Sequence, residues 1–305
     1  MDFFYYSRQW PGSILERLLR SLHVLFLELR RLVLGKKYIA EFDLTDNCNL
    51  RCPHCFHFRH IGSNQTEPKS IEAWQNLFKK LYKKGIRRVL LIGGEPALRL
   101  DVIRLATNIF PYIDICSNGT IKIDDFYTQK IFVSIDGTED YHDKLRGPGI
   151  FSKVLGNYTG DKRVVLSMTV TKDNLAHLEY VIKLAIAHNM MGVSCDIYTP
   201  SPAVREQDAL FVNENDRKAI VSKFRSLKKK YPRHFLMSHS AIKWFERSDH
   251  SRDACYWRQA VLHFDSQLNE RESCKDLDCA NCGHFAQANL NPLNFLIPKE
   301  KLVSK

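Results

Sequence analysis

Between Ser13 and Leu34, apolar residues fall at Leu15, Leu18, Leu22, Leu25, Leu29 and Leu32. Steps of three and four put a leucine face on one side of a helix, and Gly35 supplies its stop. The pattern then changes to short β-rich runs: Tyr38 to Thr45, Arg87 to Ile92, Ile113 to Cys116, Ile131 to Ile135, Val164 to Val170 and Gly192 to Tyr198. Helical stretches separate them. One is punctuated at both ends, with Ser70 as N-cap, Trp74, Leu77, Phe78 and Leu81 on one face, and Gly85 as terminator. Strands alternating with helices predict right-handed βαβ units, hence an α/β fold whose parallel sheet curls into a partial barrel of six βα units.

After Tyr198, a Pro/Ser-bearing segment from Thr199 to Ala203 leads to a basic helix near Asn215 to Lys230. Its Lys228-Lys229-Lys230 end is expected in solvent. The βα alternation then stops, which places a boundary near Pro232 to Ser240. The expected division is an amphipathic helical segment over 1–36, a core over 37–235 and a cysteine-rich extension over 236–305. No internal repeat or low-complexity tract interrupts this plan.

With 305 residues and 44% hydrophobic content, the chain can bury one large core with a small appendage. Its 45 Lys and Arg against 34 Asp and Glu give a formal charge of +11. Such a surface suits an anionic partner, whether nucleic acid, phospholipid headgroup or phosphorylated substrate; a well-solvated basic surface is the plainer explanation. The sequence opens Met-Asp-Phe-Phe-Tyr-Tyr without a basic n-region, and no apolar run approaches the roughly 20 residues that span a bilayer. A cytoplasmic location is therefore expected, where nine cysteines point to metal ligation over disulfides. Cys116 and Cys195, inside strands, read as small hydrophobes. Met1 to Lys37 carries seven basic and three acidic residues, with Phe3, Phe4, Tyr5, Tyr6 and Trp10 upstream of the leucine face. That combination suits peripheral contact with a membrane or a hydrophobic substrate, although a leucine face packed on the barrel has the same periodicity.

Cys48-Asn-Leu-Arg-Cys52-Pro-His-Cys55 follows directly on the first strand, so three thiols gather at a strand's carboxyl end, where barrel active sites lie. Three thiolates on a four-iron cubane leave one iron open to a ligand. His54, His57 and His60 could instead complete a zinc site. Gly93-Gly94-Glu95-Pro96 ends the second strand, where paired glycines let the backbone come close to a ligand and a carboxylate suits an ammonium. Ser117-Asn118-Gly119-Thr120 ends the third strand, and Ser134-Ile-Asp136-Gly137 ends the fourth.

The C-x3-C-x2-C spacing, followed in order by these motifs, resembles the radical S-adenosylmethionine (SAM) superfamily. His54 holds the position that is usually aromatic before the third cysteine. The resemblance covers roughly Tyr38 to Tyr198. It implies a [4Fe–4S] cluster on Cys48, Cys52 and Cys55, and a SAM site formed by Gly93, Gly94, Glu95, Pro96, Ser117, Asn118, Ser134, Asp136 and Arg146. In the family, the Gly-Gly-Glu-Pro segment contacts the SAM amino group. The segment SIDGTEDYHDKLRGPGIF, Ser134 to Phe151, is similar to members with a cysteine-rich tail, and Arg146 is expected there near the SAM carboxylate. Surface pairing of Arg146 with Asp143 is the alternative. The last strand, Val193 to Tyr198, lacks the glycine-rich adenine motif of some members, which leaves adenine recognition unassigned.

Cys255, Cys274, Cys279 and Cys282 form a second set in a tail too short for its own core, the kind of appendage that needs a staple. Gln259 to Asn269 reads as a strand and turn, with a second short strand toward Cys274. This resembles the hairpin of a twitch or truncated SPASM extension and implies one auxiliary [4Fe–4S] cluster, but four thiolates at this spacing also suit a zinc ribbon-like site. His284 is expected at the surface. By resemblance, the chain is a radical SAM enzyme that cleaves SAM reductively to a 5′-deoxyadenosyl radical. A one-electron reductant such as flavodoxin or ferredoxin is implied. The radical would modify an unactivated C–H bond or double bond of a lipid-like, anionic or peptide substrate, a peptide maturase being one form of this. The alternative of another class is a non-catalytic zinc or iron–sulfur module on nucleic acid. No RNA-binding motif and no basic-aromatic alternation support it.

Overall fold

A computed structural model describes residues 13–60, 66–203, 205–247, 249–274 and 278–284. Phe3, Phe4, Tyr5, Tyr6 and Trp10, and the side chain of His60, lie outside the described residues. Helix α1 (Ile14–Leu34) begins in a capping box, Ser13 accepting from the Glu16 amide and Glu16 from the Ser13 amide, and ends at Gly35 with φ 65°.

The six expected strands are all present: β1 (Ile39–Asp43), β2 (Arg88–Ile92), β3 (Tyr112–Ser117), β4 (Ile131–Ser134), β5 (Val164–Val170) and β6 (Gly192–Ile197). Each is parallel to the next, with Asp43 opposite Ile92 and Ser134 opposite Ser167. The crossovers carry α2 (Phe56–His60), α3 (Ile71–Lys84), α4 (Leu100–Thr107), α5 (Glu139–Arg146), α6 (Ile150–Tyr158) and α7 (Leu178–Ala187). Three further helices follow, α8 (Glu214–Lys230), α9 (His239–Trp244) and α10 (Tyr256–Ala260), then a hairpin of β7 (Val261–Phe264) and β8 (Glu270–Arg271). The hairpin is not a free appendage: β7 pairs parallel with β1, and the sheet order is β6-β5-β4-β3-β2-β1-β7-β8.

Strand alternation divides the protein into an outer and an inner packing zone. Phe42 packs outward at 5.0 Å from Phe78 and edge-on to Trp74, both on α3, and stacks on Phe264 of β7 at 5.3 Å. The inward residues are layered. A floor of Tyr38, Ile39, Tyr112, Tyr256, Trp257 and Val261 closes over Leu27 of α1. Above it lies a charged layer, in which Arg88 pairs with Asp114 at 2.5 Å and Glu41 with His263 at 2.9 Å and Arg271 at 3.2 Å. Over that, at the carboxyl ends, Asp43, Ile92, Cys116, Ser134, Thr169 and Asp196 line a cavity.

The two outer strands are joined around this cavity. Gly283, beyond the hairpin, accepts from the Ile197 amide at 2.8 Å and donates to Thr199 at 2.9 Å. Arg217 of α8, almost fully buried, holds the same segment through the carbonyls of Asn281 and Cys282 and ties it to the Phe245 carbonyl at the end of α9. The Lys228-Lys229-Lys230 end differs from expectation at its first residue. Lys228 is buried, because its ammonium donates to the carbonyls of Pro232 and Phe235 where the chain turns back to pair Phe235 with Val193. Replacing Arg217 with Met leaves three carbonyls without their donor and is expected to cost about 2–4 kcal/mol. Thermal melting would show the loss, and amide exchange should accelerate around 278–284 while β1–β5 stay protected.

Candidate active site

Both cysteine sets face one cavity of about 350 Å³ at the carboxyl ends of the strands. Cys48, Cys52 and Cys55 border it from the loop after β1; Cys255, Cys274, Cys279 and Cys282 border it from the hairpin side. All are free thiols. Burial pushes the Cys48 thiol up and that of Cys52 up to about 11, so deprotonation in place needs a positive partner or a metal.

The first loop is seated by the glycines. A Cβ on Gly94 would strike the Asn47 carbonyl, and one on Gly93 the Thr45 carbonyl. The close approach that demands glycine is thus to the cysteine loop itself, which receives backbone bonds from Gly94 to Thr45 at 2.8 Å and from Glu95 to Asn47 at 2.9 Å. Gly93 and Gly94 also line the cavity.

Glu95 is wholly buried, and its carboxylate is used internally. It accepts from the Ser117 hydroxyl at 2.7 Å, the Asn118 amide at 2.7 Å and the Ala97 amide at 2.9 Å, the last as cap of the turn that Pro96 opens. Burial raises its pKa against the pull of these donors. Ser117 and Asn118 reach the cavity, whereas Glu95 and Pro96 stand behind it. Asn118 then donates to Asn49 at 2.9 Å and stands 3.7 Å from the Cys48 sulfur, which also receives the Leu50 amide at 3.4 Å.

Arg146, at the end of α5, does not pair with Asp143, whose carboxylate caps the Gly149 and Phe151 amides. Its Nε donates instead to Asp136 at 2.6 Å, Nη1 stands 4.0 Å from the Cys52 sulfur and Nη2 lies 3.4 Å from His54. Burial opposes charge on Asp136, but Arg146 and His54 outweigh it and hold the carboxyl well below the usual range. Ser134, Arg146 and His54 line the cavity; Asp136 braces Arg146 and His54 from behind. His57, the other described candidate for zinc, turns to Asp46 at 3.4 Å.

In the second set, Cys255 sits just before α10, Cys274 adopts φ 50°, and the Cys282 amide bonds to the Cys279 carbonyl. A non-glycine residue at positive φ is held there by its surroundings, as at many functional sites. Burial raises the Cys255 thiol, lifts Cys274 to about 12 and pushes Cys282 well up. His284, expected at the surface, is half-buried, packs 5.6 Å from Trp257 and lines the cavity. The return of Gly283 to β6 carries it inward.

Sequence reasoning missed the cavity floor. Cys195 is buried as expected, but the Cys116 side chain opens into the cavity, enclosed by the sheet, where burial pushes its pKa well up. Asp43, two strands away on β1, accepts from Arg271 at 2.8 Å through one oxygen, and the other has no hydrogen-bond partner among the described residues. The legible signal was polar residues on the inward phase of strand ends: Asp43, Cys116, Ser134, Thr169 and Asp196. Burial, helped by Glu41 and opposed by Arg271, lifts the Asp43 pKa to about 7, above the unfolded value of about 3.9. The folded state therefore keeps this proton where the unfolded chain has lost it, and stability should fall as pH rises from about 4 to about 7. Asp43→Asn is expected to flatten that part of the melting-temperature profile and to be more stable than the wild type at pH ~8.

Among the described residues, no three His, Cys, Asp or Glu side chains stand around a single-ion position. The donor chemistry nevertheless fits a thiolate-held group. Three thiols flank the cavity, donors from Asn118 and Leu50 aim at one sulfur and Arg146 at another, and His54 Nδ1 and Asp136 Oδ1 have no hydrogen-bond partner among the described residues.

The chain is 28% identical over 183 residues to an AdoMet-dependent heme synthase of Oleidesulfovibrio alaskensis, covering 55% of this chain and 46% of that protein. It is 27% identical over 159 residues to the sporulation killing factor maturation protein SkfB of Bacillus subtilis, covering 47% and 38%. It thus spans less than half the length of either. Among solved structures, Streptococcus suis SuiB bound to S-adenosylmethionine superposes with TM-score 0.61 over 86% of this chain and 69% of that one, at 10% identity, a likeness of fold alone. The family model described as "Radical SAM superfamily" matches residues 42–207, more than half of the chain and the whole span from the cysteine loop to the last barrel strand. The chain belongs to the radical SAM superfamily.

Proposed function

We propose that the protein is an iron–sulfur enzyme that reductively cleaves SAM at Cys48, Cys52 and Cys55 and directs the resulting radical at a substrate held between that site and the tail cysteines. The observation that carries this reading is the convergence of both thiol sets on one cavity at the carboxyl ends of the strands. Bound to the first set, a reduced [4Fe–4S] cluster would supply the electron that splits SAM into methionine and a 5′-deoxyadenosyl radical.

The chain's own residues then have definite work. Asn118 and the Leu50 amide orient Cys48 and favour its charge. Arg146, charged and held by Asp136, offers its fork beside Cys52, where the carboxylate of SAM would gain a bidentate partner. Gly93, Gly94, Ser117 and Ser134 would form the remaining wall. Enclosure by the sheet and the returning tail keeps water from a reactive species. A flavodoxin or ferredoxin is the electron donor in this reading. With Cys48, Cys52 and Cys55 all replaced by Ala, anaerobically reconstituted and dithionite-reduced protein should form no 5′-deoxyadenosine, whereas the wild type should. Undiminished product from the triple variant would refute the assignment.

The extension over 236–305 is read as the holder of an auxiliary [4Fe–4S] cluster on Cys255, Cys274, Cys279 and Cys282. Its hairpin continues the core sheet, which keeps the second site at a fixed distance from the first. Two cubanes give about eight irons per chain, falling to about four when the four tail cysteines are replaced. About four irons with one zinc in the wild type would assign the tail to zinc.

A peptide is the preferred substrate. The floor and wall offer hydroxyls and carboxylates at Asp43, Ser134, Thr169 and Asp196, suited to a polar backbone. SkfB is named for maturation of a sporulation killing factor, and SuiB, which shares the fold, was solved bound to precursor peptide SuiA. An anionic, heme-related substrate is the second reading. Arg258, His250 and His284 line the tail side of the cavity, and the heme synthase relative is named for such a product.

A further inference from the structure

The leucine face of α1 does not pack on the barrel. The helix meets the floor through Val24, Leu27 and a polar set: His23 shares a hydrogen bond with Tyr112 at 2.8 Å, and Glu28 accepts from Tyr256 at 3.1 Å and pairs with Arg31 at 2.5 Å. The opposite side is turned outward. Ile14, Leu15, Leu18, Leu19, Leu22, Phe26, Leu29, Leu32, Val33 and Leu34 are each 38% to 85% exposed, and Glu16 is the one other exposed residue in the helix. A helix of 21 residues is about 30 Å long, so this is a continuous apolar band of that length. Scattered exposed leucines are ordinary, but a contiguous band marks a contact surface.

The band's place in the fold matters as much as its chemistry. Tyr38, Tyr112 and Val261, which α1 covers, are at or just before the first residues of β1, β3 and β7, at the amino end of the sheet. The cavity lies at the carboxyl end, beyond the charged layer of Arg88, Asp114, Glu41 and His263.

We infer that α1 is an interfacial helix that lays the barrel floor on an anionic lipid surface, with the cavity mouth turned away from the lipid. Charge complementarity selects this occupant. From Ser13 to Lys37 the chain carries six basic residues against Glu16 and Glu28; Arg31 pairs with the buried Glu28 and Lys37 donates to the carbonyls of Arg258 and Val261, and the other basic side chains are Arg17, Arg20, Arg30 and Lys36, against Glu16. No helix among the described residues is long and apolar enough to cross a membrane, so α1 lies on the surface. The arrangement makes the helix an anchor and not an entry port, and the substrate reaches the cavity from the aqueous side.

The test uses full-length protein and vesicles of phosphatidylcholine with or without phosphatidylglycerol. Co-sedimentation with the anionic vesicles is expected, weakening with salt, and far less with pure phosphatidylcholine. The outward variant Leu22→Ser, Phe26→Ser, Leu29→Ser should reduce binding about tenfold or more with little change in the melt, since these side chains are half or more exposed and belong to neither buried cluster. A second variant, Arg20→Glu with Lys36→Glu, should weaken it in a salt-dependent way and leaves the apolar band intact. Basal SAM cleavage in solution should be unaffected in both. Vesicle binding needs no cluster, so it stands or falls apart from the enzymatic reading. Absence of binding to anionic vesicles at low salt overturns the proposal. So does a concentration-dependent dimer that the triple-serine variant abolishes, which would assign the band to a second copy. Loss of SAM cleavage in a folded triple-serine variant would overturn the separation of anchor from cavity.

Discussion

The site depends on a single buried carboxylate. Glu95 has no contact with solvent, yet its three hydrogen bonds tie the end of β2 to the end of β3 and fix the backbone of Asn118. Asn118 passes that constraint to the cysteine loop: it holds Asn49, Asn49 donates to Thr120 at 2.7 Å, and the Thr120 hydroxyl closes the ring on the Asn118 side-chain oxygen Oδ1 at 2.6 Å. A buried acceptor that is fully satisfied rigidifies its surroundings, and one left half-satisfied would cost more than the bonds it makes. Position 95 therefore demands a carboxylate for structure before any ligand is considered.

A second constraint comes from the opposite side of the cavity. Parallel pairing of β7 with β1 needs a long return of chain, supplied by α8 to α10, and it sets the tail thiols facing the first set. Arg271 of β8 reaches both Glu41 and Asp43 on β1, so the hairpin is joined to the core by charge as well as by the ladder. Removing Arg271 would leave the buried Glu41 carboxylate only its bond to His263 among the described residues.

The barrel was legible in the sequence because β-branched, apolar strand runs and capped helices each announce themselves locally, as Ser70 and Gly85 do around α3. The pairing of β7 with β1 was not, since it joins residues more than 200 positions apart and no local pattern encodes it. Periodicity identified the leucine face of α1 but could not say whether the barrel would cover it. The packed side holds Ser21 and Glu28, polar residues that periodicity assigns to solvent; Ser21 is satisfied within the helix by the Arg17 carbonyl, and Glu28 is buried by its tertiary bond from Tyr256. The motif residues were readable, but the division of labour between cavity-lining Ser117, Asn118 and Arg146 and the bracing Glu95 and Asp136 depends on side-chain direction. Cys116 was misread because a free cysteine in a strand is usually packing, and only the inward phase shared with Asp43 and Ser134 distinguishes it.

The central claim is that the open metal position belongs to the loop of Cys48, Cys52 and Cys55 and not to the tail. Electron–nuclear double resonance on the reduced protein with SAM isotopically labelled at its carboxylate reads this directly. Coupling of the label to a cluster is predicted in the wild type and in a variant lacking the four tail cysteines. Coupling that vanishes with the tail cysteines, or survives loss of the first three, would contradict the account.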